Sequence, residues 1–130
     1  MQKDIENYKK DKPNIIFLII DALRQDRIGA TGYRPDATPN LNKLYLEGFR
    51  ATKYFTPGCV TENSFPSIFT SSLPLDFGGY KDGIHNRPVS FPEILKSENY
   101  QTWGAVTGHP CCSHFSYDRG FEKFENLIDL

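Results

Sequence analysis

Six consecutive apolar residues, Ile15-Ile16-Phe17-Leu18-Ile19-Ile20, stand behind Pro13-Asn14 and directly in front of Asp21. The run is mostly β-branched and shows no polar alternation, which is the pattern of a central strand covered on both faces. It is far short of the roughly 20 apolar residues that a helix needs to cross a bilayer, so no membrane span is expected. A carboxylate directly after a buried strand sits at the strand's carboxyl end, where open α/β sheets place their ligands. Asp21 is therefore a candidate site residue, with a simple turn cap as the structural alternative.

The chain has 130 residues, enough for one domain with one core, and 14% of them are aromatic, too many large apolar side chains for a disordered segment. Lys and Arg number 15 against 16 Asp and Glu, with no long basic run, so nucleic acid is not an expected partner. Residues 1–12 read as a polar N-terminal extension without the apolar stretch of a signal peptide, and residues 13–130 as the folded part. Three cysteines, Cys59, Cys111 and Cys112, fit neither a disulfide framework nor a zinc spacing. They imply reduced thiols and a cytoplasmic location.

Residues 24–36 are charged and turn-rich and read as a loop. Thr38-Pro39 then opens a helix that carries Leu41, Leu44, Tyr45 and Leu46 and ends at Gly48. Residues 49–55 have strand composition, closed by Pro57-Gly58. Asn63-Ser64-Phe65-Pro66 predicts a helix beginning near Ser64, residues 73–88 a surface loop, and Ser90-Phe91-Pro92-Glu93 a capping box for a helix ending at Asn99. Residues 101–106 return as a strand. The order argues for an α/β layer fold. Ser64 becomes the second candidate, because the N–H groups and positive dipole end of a helix N-terminus would stabilise an alkoxide there. Plain helix capping is the alternative. Asp21 and Ser64 are both expected at the carboxyl edge of one parallel sheet, since each would follow a strand.

Several ordered segments resemble the opening of a sulfatase in the alkaline phosphatase superfamily. They are Pro13 to Arg24, Thr38-Pro39-Asn40-Leu41-Asn42-Lys43-Leu44, Ser64-Phe65-Pro66-Ser67 with Phe69-Thr70, Tyr100-Gln101-Thr102, and Tyr117 to Phe124. The resemblance implies an alkaline-phosphatase-like α/β parallel-sheet sandwich, of which this chain would be the N-terminal part. It implies a sulfuric or phosphoric ester hydrolase with a hydroxyl nucleophile at Ser64 and a divalent metal held by Asp21 and Ser64. That metal would be calcium in a true sulfatase, and zinc or manganese in a phosphatase-like relative. His109, nine residues after Tyr100, is similar in place to a family histidine, although Thr107 stands where the motif has lysine.

Two departures matter. The family motif C/S-x-P-S-R, whose first residue is converted to formylglycine in sulfatases, reads Ser64-Phe65-Pro66-Ser67-Ile68 here, so no formylglycine is expected. Ala22 stands where many sulfatases carry another metal-binding aspartate, and Asp26 lies too far on to replace it. The missing arginine makes a metal-dependent phosphodiesterase or phosphoglycerol-type transferase the competing enzyme reading. A non-catalytic interaction module is the competing reading from another class. One carboxylate and one hydroxyl do not complete a metal site, so the isolated chain is expected to be inactive and to self-associate through exposed apolar surface. Thr61, Cys59, the Cys111-Cys112 pair beside His109 and His114, and the loop arginines Arg24, Arg27 and Arg34 are secondary candidates.

Overall fold

A computed structural model describes residues 12–32 and 34–128. The chain divides into two compact units, residues 1–50 and 51–130. In the first unit, two short 3-10 turns at Gln25–Arg27 and Gly29–Thr31 precede helix α1, Pro39–Glu47. Proline at the first position presets the helical φ and lacks an N–H that would have no partner there. Thr38 does not cap its own helix. Its hydroxyl accepts the Gly29 N–H at 2.9 Å and meets the Asn42 Oδ1, which also accepts the Ala30 N–H at 2.8 Å, so α1 is tied to the preceding turn instead.

The Ile15 to Ile20 run corrects the sequence reading. These residues form no ladder and are exposed, Ile16 by 91% and Leu18 by 72%. A strand is covered on both faces only where neighbouring strands and a second layer meet it. Among the described residues the one sheet pairs other segments. Residues 49–55 are likewise not a strand, and Phe49 is almost fully exposed.

The second unit carries α2 (Thr61–Thr70), α3 (Phe91–Ser97), β1 (Trp103–Val106) and β2 (Lys123–Asn126). β1 and β2 are parallel, with Trp103 opposite Lys123 and Val106 opposite Asn126. Composition led to β1 but not β2, whose Lys-Phe-Glu-Asn sequence is short and mostly polar. The small α/β content with a parallel pair agrees with the expected class. The full sandwich is not seen among the described residues.

The core of this unit is Phe69, Ile84, Cys111 and Tyr117, with Phe65, Ile68, Phe91, Val106 and Phe115 packed against it. Phe69 lies edge-on to Tyr117 at 5.1 Å between ring centres and tilted to Phe91 at 5.0 Å, so one ring joins α2, α3 and the 117 turn. Burial pushes the Tyr117 phenol well above its ordinary value, so it stays neutral. α3 begins as expected: the Glu93 carboxylate accepts the Ser90 N–H and the Ser90 hydroxyl, each at 2.8 Å. It ends before Asn99, which takes a left-handed φ of 62°.

Two of the family-like segments bond to one another. The Thr102 hydroxyl donates to the Gly120 carbonyl at 2.7 Å and accepts the Glu122 N–H at 3.1 Å. Gly120 has φ +84°, and a Cβ there would lie 2.2 Å from the Glu93 nitrogen, so only glycine lets this turn approach α3. Arg119 completes the joint, donating to the Glu93 carboxylate and to the carbonyls of Ile84, Arg87 and Pro88.

Candidate active site

Ser64 is the fourth residue of α2, not its cap. Val60, extended and without a capping side chain, takes that place, and Glu62 puts a negative charge into the positive end of the first turn. The expectation of a start near Ser64 rested on Pro66 as an early proline. Pro66 is instead the sixth helical residue and has no N–H to return to the Glu62 carbonyl. The Ser64 N–H is spent on the Val60 carbonyl at 3.2 Å.

The half-buried Ser64 hydroxyl touches only oxygens in its described contacts: Thr56 Oγ1 at 2.8 Å, the Gly58 carbonyl at 3.0 Å and the Val60 carbonyl at 3.1 Å. Carbonyls accept a proton's hydrogen bond without taking the proton, so this environment orients the hydroxyl but does not activate it. Gly58 and α2 are in close contact, and the segment 56–60 wraps back onto the first turn.

Two further polar atoms on the same helix stand out. Asn63 Oδ1 and Ser67 Oγ are buried and have no hydrogen-bond partner among the described residues. They are four residues apart and so lie on one helix face, with Ser67 also three residues from Ser64. Each orphaned group costs on the order of 1–3 kcal/mol. Spacing could have placed Asn63 and Ser67 together, but nothing in the sequence reveals that they lack partners. Ile68, in the place of the motif arginine, packs against the Phe69, Ile84, Cys111 and Tyr117 core. In this chain that position serves packing.

Asp21 lies in the other unit, in a turn directly after the apolar run; Ala22 beside it takes a left-handed φ of 55°. The argument that Asp21 and Ser64 follow two strands of one sheet does not hold, because neither preceding segment is a strand. The His109 backbone opens a 3-10 turn, His109–Cys111, and its side chain lies outside the described residues. Among the described residues no group of three or more His, Cys, Asp or Glu side chains could hold a metal. A divalent cation takes about four to six donors, so these residues alone do not fit a closed site.

Two of the secondary candidates, Arg24 and Arg34, are engaged in ion pairs. Arg24 pairs with Asp26 at 2.6 Å and Arg34 with Asp36 at 3.1 Å, both on the surface. The Arg24 hydrogen bond lowers the Asp26 carboxyl below its ordinary value. Cys59, Cys111 and Cys112 form no disulfide among the described residues and are exposed, buried and half-buried respectively.

A parallel-stranded α/β unit with a serine hydroxyl in the first turns of a helix defines an α/β protein with a candidate hydroxyl nucleophile. Residues 13–129 match the family described as Sulfatase, and the chain belongs to that family. It is similar to arylsulfatase A of Homo sapiens, with 27% identity over 86% of this chain and 24% of that protein. It is also similar to the ulvan-active sulfatase of Formosa agariphila, with 28% identity over 89% of this chain and 24% of that protein. An arylsulfatase of Clostridium perfringens is 34% identical over 56% of this chain and 16% of that protein. The chain thus spans about a quarter of the length of curated relatives it matches. No solved structure gives a significant match. No helix among the described residues is long and apolar enough to cross a membrane.

Proposed function

We propose that this chain carries the nucleophile-bearing part of a sulfuric ester hydrolase. Membership of the sulfatase family over residues 13–129 is the observation that supports this reading. The Ser64 oxygen attacks the sulfur of a sulfate ester; an O–S bond forms at Ser64, the S–O bond to the alcohol breaks, and the serine proton leaves with that alcohol. Water then takes the sulfuryl group from Ser64. His109 is the candidate that relays this proton from Ser64 to the leaving oxygen. Asp21 supplies one carboxylate towards the divalent metal that sulfatases generally use. The remaining donors are not found among the described residues, and this reading expects no turnover from the chain by itself. An odd number of cysteines, two of them adjacent, favours a reducing, cytoplasmic setting.

Ser64 acts as plain serine. Ile68 stands in the place of the conversion motif's arginine and packs against the core. The same substitution favours a second reading, a phosphoric ester hydrolase or transferase of the superfamily, whose members attack with unmodified hydroxyls. The test is intact-mass analysis after expression beside the formylglycine-forming machinery. Wild type is expected to keep its full serine mass, whereas Ile68→Arg restores the motif and serves as the comparison. A loss of about 2 Da at Ser64 in the wild type, the mass change of an alcohol oxidised to an aldehyde, would overturn it.

A further inference from the structure

A second serine, far along the chain from Ser64, has what Ser64 lacks. The Ser116 hydroxyl lies 2.7 Å from His85 Nδ1, and His85 Nε2 lies 2.8 Å from the His114 carbonyl oxygen. A carbonyl can only accept, so the ring's proton sits on Nε2 in the neutral imidazole. Nδ1 then presents its lone pair to the Ser116 hydroxyl. Nucleophile, base and the group that orients the base are all in hydrogen-bond reach, which is the arrangement that activates a serine.

The two side chains are also held in place. His85 follows Ile84, which is fully buried and donates its N–H to the Phe115 carbonyl at 3.0 Å, one residue before Ser116. Gly83 has φ +59°, and a Cβ there would lie 2.4 Å from the Phe115 oxygen, so the two backbones are in direct contact. Ser116 itself takes a left-handed φ of 62°, an unusual conformation for a non-glycine residue. His85 is exposed and Ser116 half-exposed, so a substrate can reach them.

We propose that Ser116 and His85 form a nucleophile–base pair that accepts an acyl group from a neutral, activated carboxylic ester. A neutral substrate follows from the neighbouring charges. Arg87 and Arg119 are the cations whose backbones and side chains brace this loop, and every N–H of both guanidiniums is already given to protein oxygens. Neither is free to offset an anionic ester. The Ser116 oxygen attacks the ester carbonyl carbon while its proton passes to His85 Nδ1. The carbon–oxygen bond to the leaving group then breaks, the imidazolium returns the proton to the departing aryloxide, and the acyl group stays on Ser116 until water removes it. A backbone carbonyl behind the imidazole stabilises its cation less than a carboxylate would, so acylation is slow and needs a good leaving group.

The test uses the full 130-residue chain and p-nitrophenyl acetate, with nitrophenol release followed by peptide mass mapping. One acetyl group is expected on Ser116, and none there in Ser116→Ala. His85→Gln keeps an amide able to bridge the same partners but has no basic nitrogen, and is expected to slow acetylation of Ser116 by roughly 100-fold. In His85→Ala, shown to be folded by circular dichroism, added imidazole is expected to restore the rate. Acetyl groups found only at lysines, an unchanged rate in His85→Gln, or no rescue by imidazole would each reduce the pair to a loop tie and overturn the proposal. The mapped position also separates this activity from any at Ser64.

Discussion

Arg87 is the residue that most shapes the second unit, and it does so without a carboxylate partner. Its buried guanidinium donates to the Ser72 hydroxyl and to the carbonyls of Leu73, Pro74, Gly79 and Gly83, which uses all five N–H groups on the loop between α2 and α3. Lysine cannot reproduce this planar fork, so Arg87→Lys is not a conservative change. Arg87→Met is expected to cost about 3 kcal/mol, because it leaves two buried and three partly buried acceptors unpaired, and Arg87→Lys more than about 1 kcal/mol, both read from urea midpoints. Ser67→Ala should behave in the opposite way. It removes a buried hydroxyl that has no partner, so stability should hold or rise, whereas a loss above about 1 kcal/mol would show that the hydroxyl is satisfied. The sequence marks residues 73–88 as a loop from its glycines and prolines. It cannot show Arg87 at the centre, since bonds to carbonyls scattered over a dozen positions leave no spacing to read.

The start of α3 is the best-determined element, and its chemistry predicts a response to acid. Burial alone would raise the Glu93 carboxyl, but the Ser90 N–H, the Ser90 hydroxyl and the Arg119 guanidinium outweigh it and hold the carboxyl below its ordinary value of 4.5. A carboxylate with a depressed folded pKa contributes stability that is fully present above its unfolded value. That stability is lost as the pH falls through the folded value. Unfolding followed below about pH 5 should therefore steepen in the wild type and flatten in Glu93→Gln, which lacks the titrating group. Equal acid limbs would show that Glu93 carries none of this linkage. Element starts differ in how far local sequence determines them. The capping box at 90–93 is read correctly because partners three residues apart decide it, and the helix start at Pro39 because proline presets its φ, whereas Thr38, read as that helix's cap, bonds the preceding turn instead. α2 starts three residues before the expected position, because the fold of segment 56–60 onto its first turn outweighs the proline signal. β2 goes unread because its pairing with β1 depends on residues twenty positions away.

At the scale of the whole molecule, the family and the broad α/β class are legible in the sequence, while the burial of the first apolar run is not. Ile15 to Ile20 has the composition of a covered strand but forms no ladder among the described residues, since a strand's partners are supplied by other parts of a chain. With Leu44, Leu46, Phe49, Tyr54 and Phe55 it leaves much apolar surface exposed. Sedimentation is expected to show concentration-dependent association that Ile16→Lys with Leu18→Lys reduces. A monomer at every concentration would count against that surface being adhesive. Ester turnover by the isolated chain tests the proposed function most directly: Ser64 as the nucleophile, Asp21 as one proposed metal donor, and the remaining donors not found among the described residues. Aryl sulfates and phosphate mono- and diesters are offered with calcium, magnesium, manganese or zinc in turn. The account expects no turnover that Ser64→Ala and Asp21→Ala abolish; turnover lost in both variants would contradict it by showing that the chain, alone or as copies, completes the site itself.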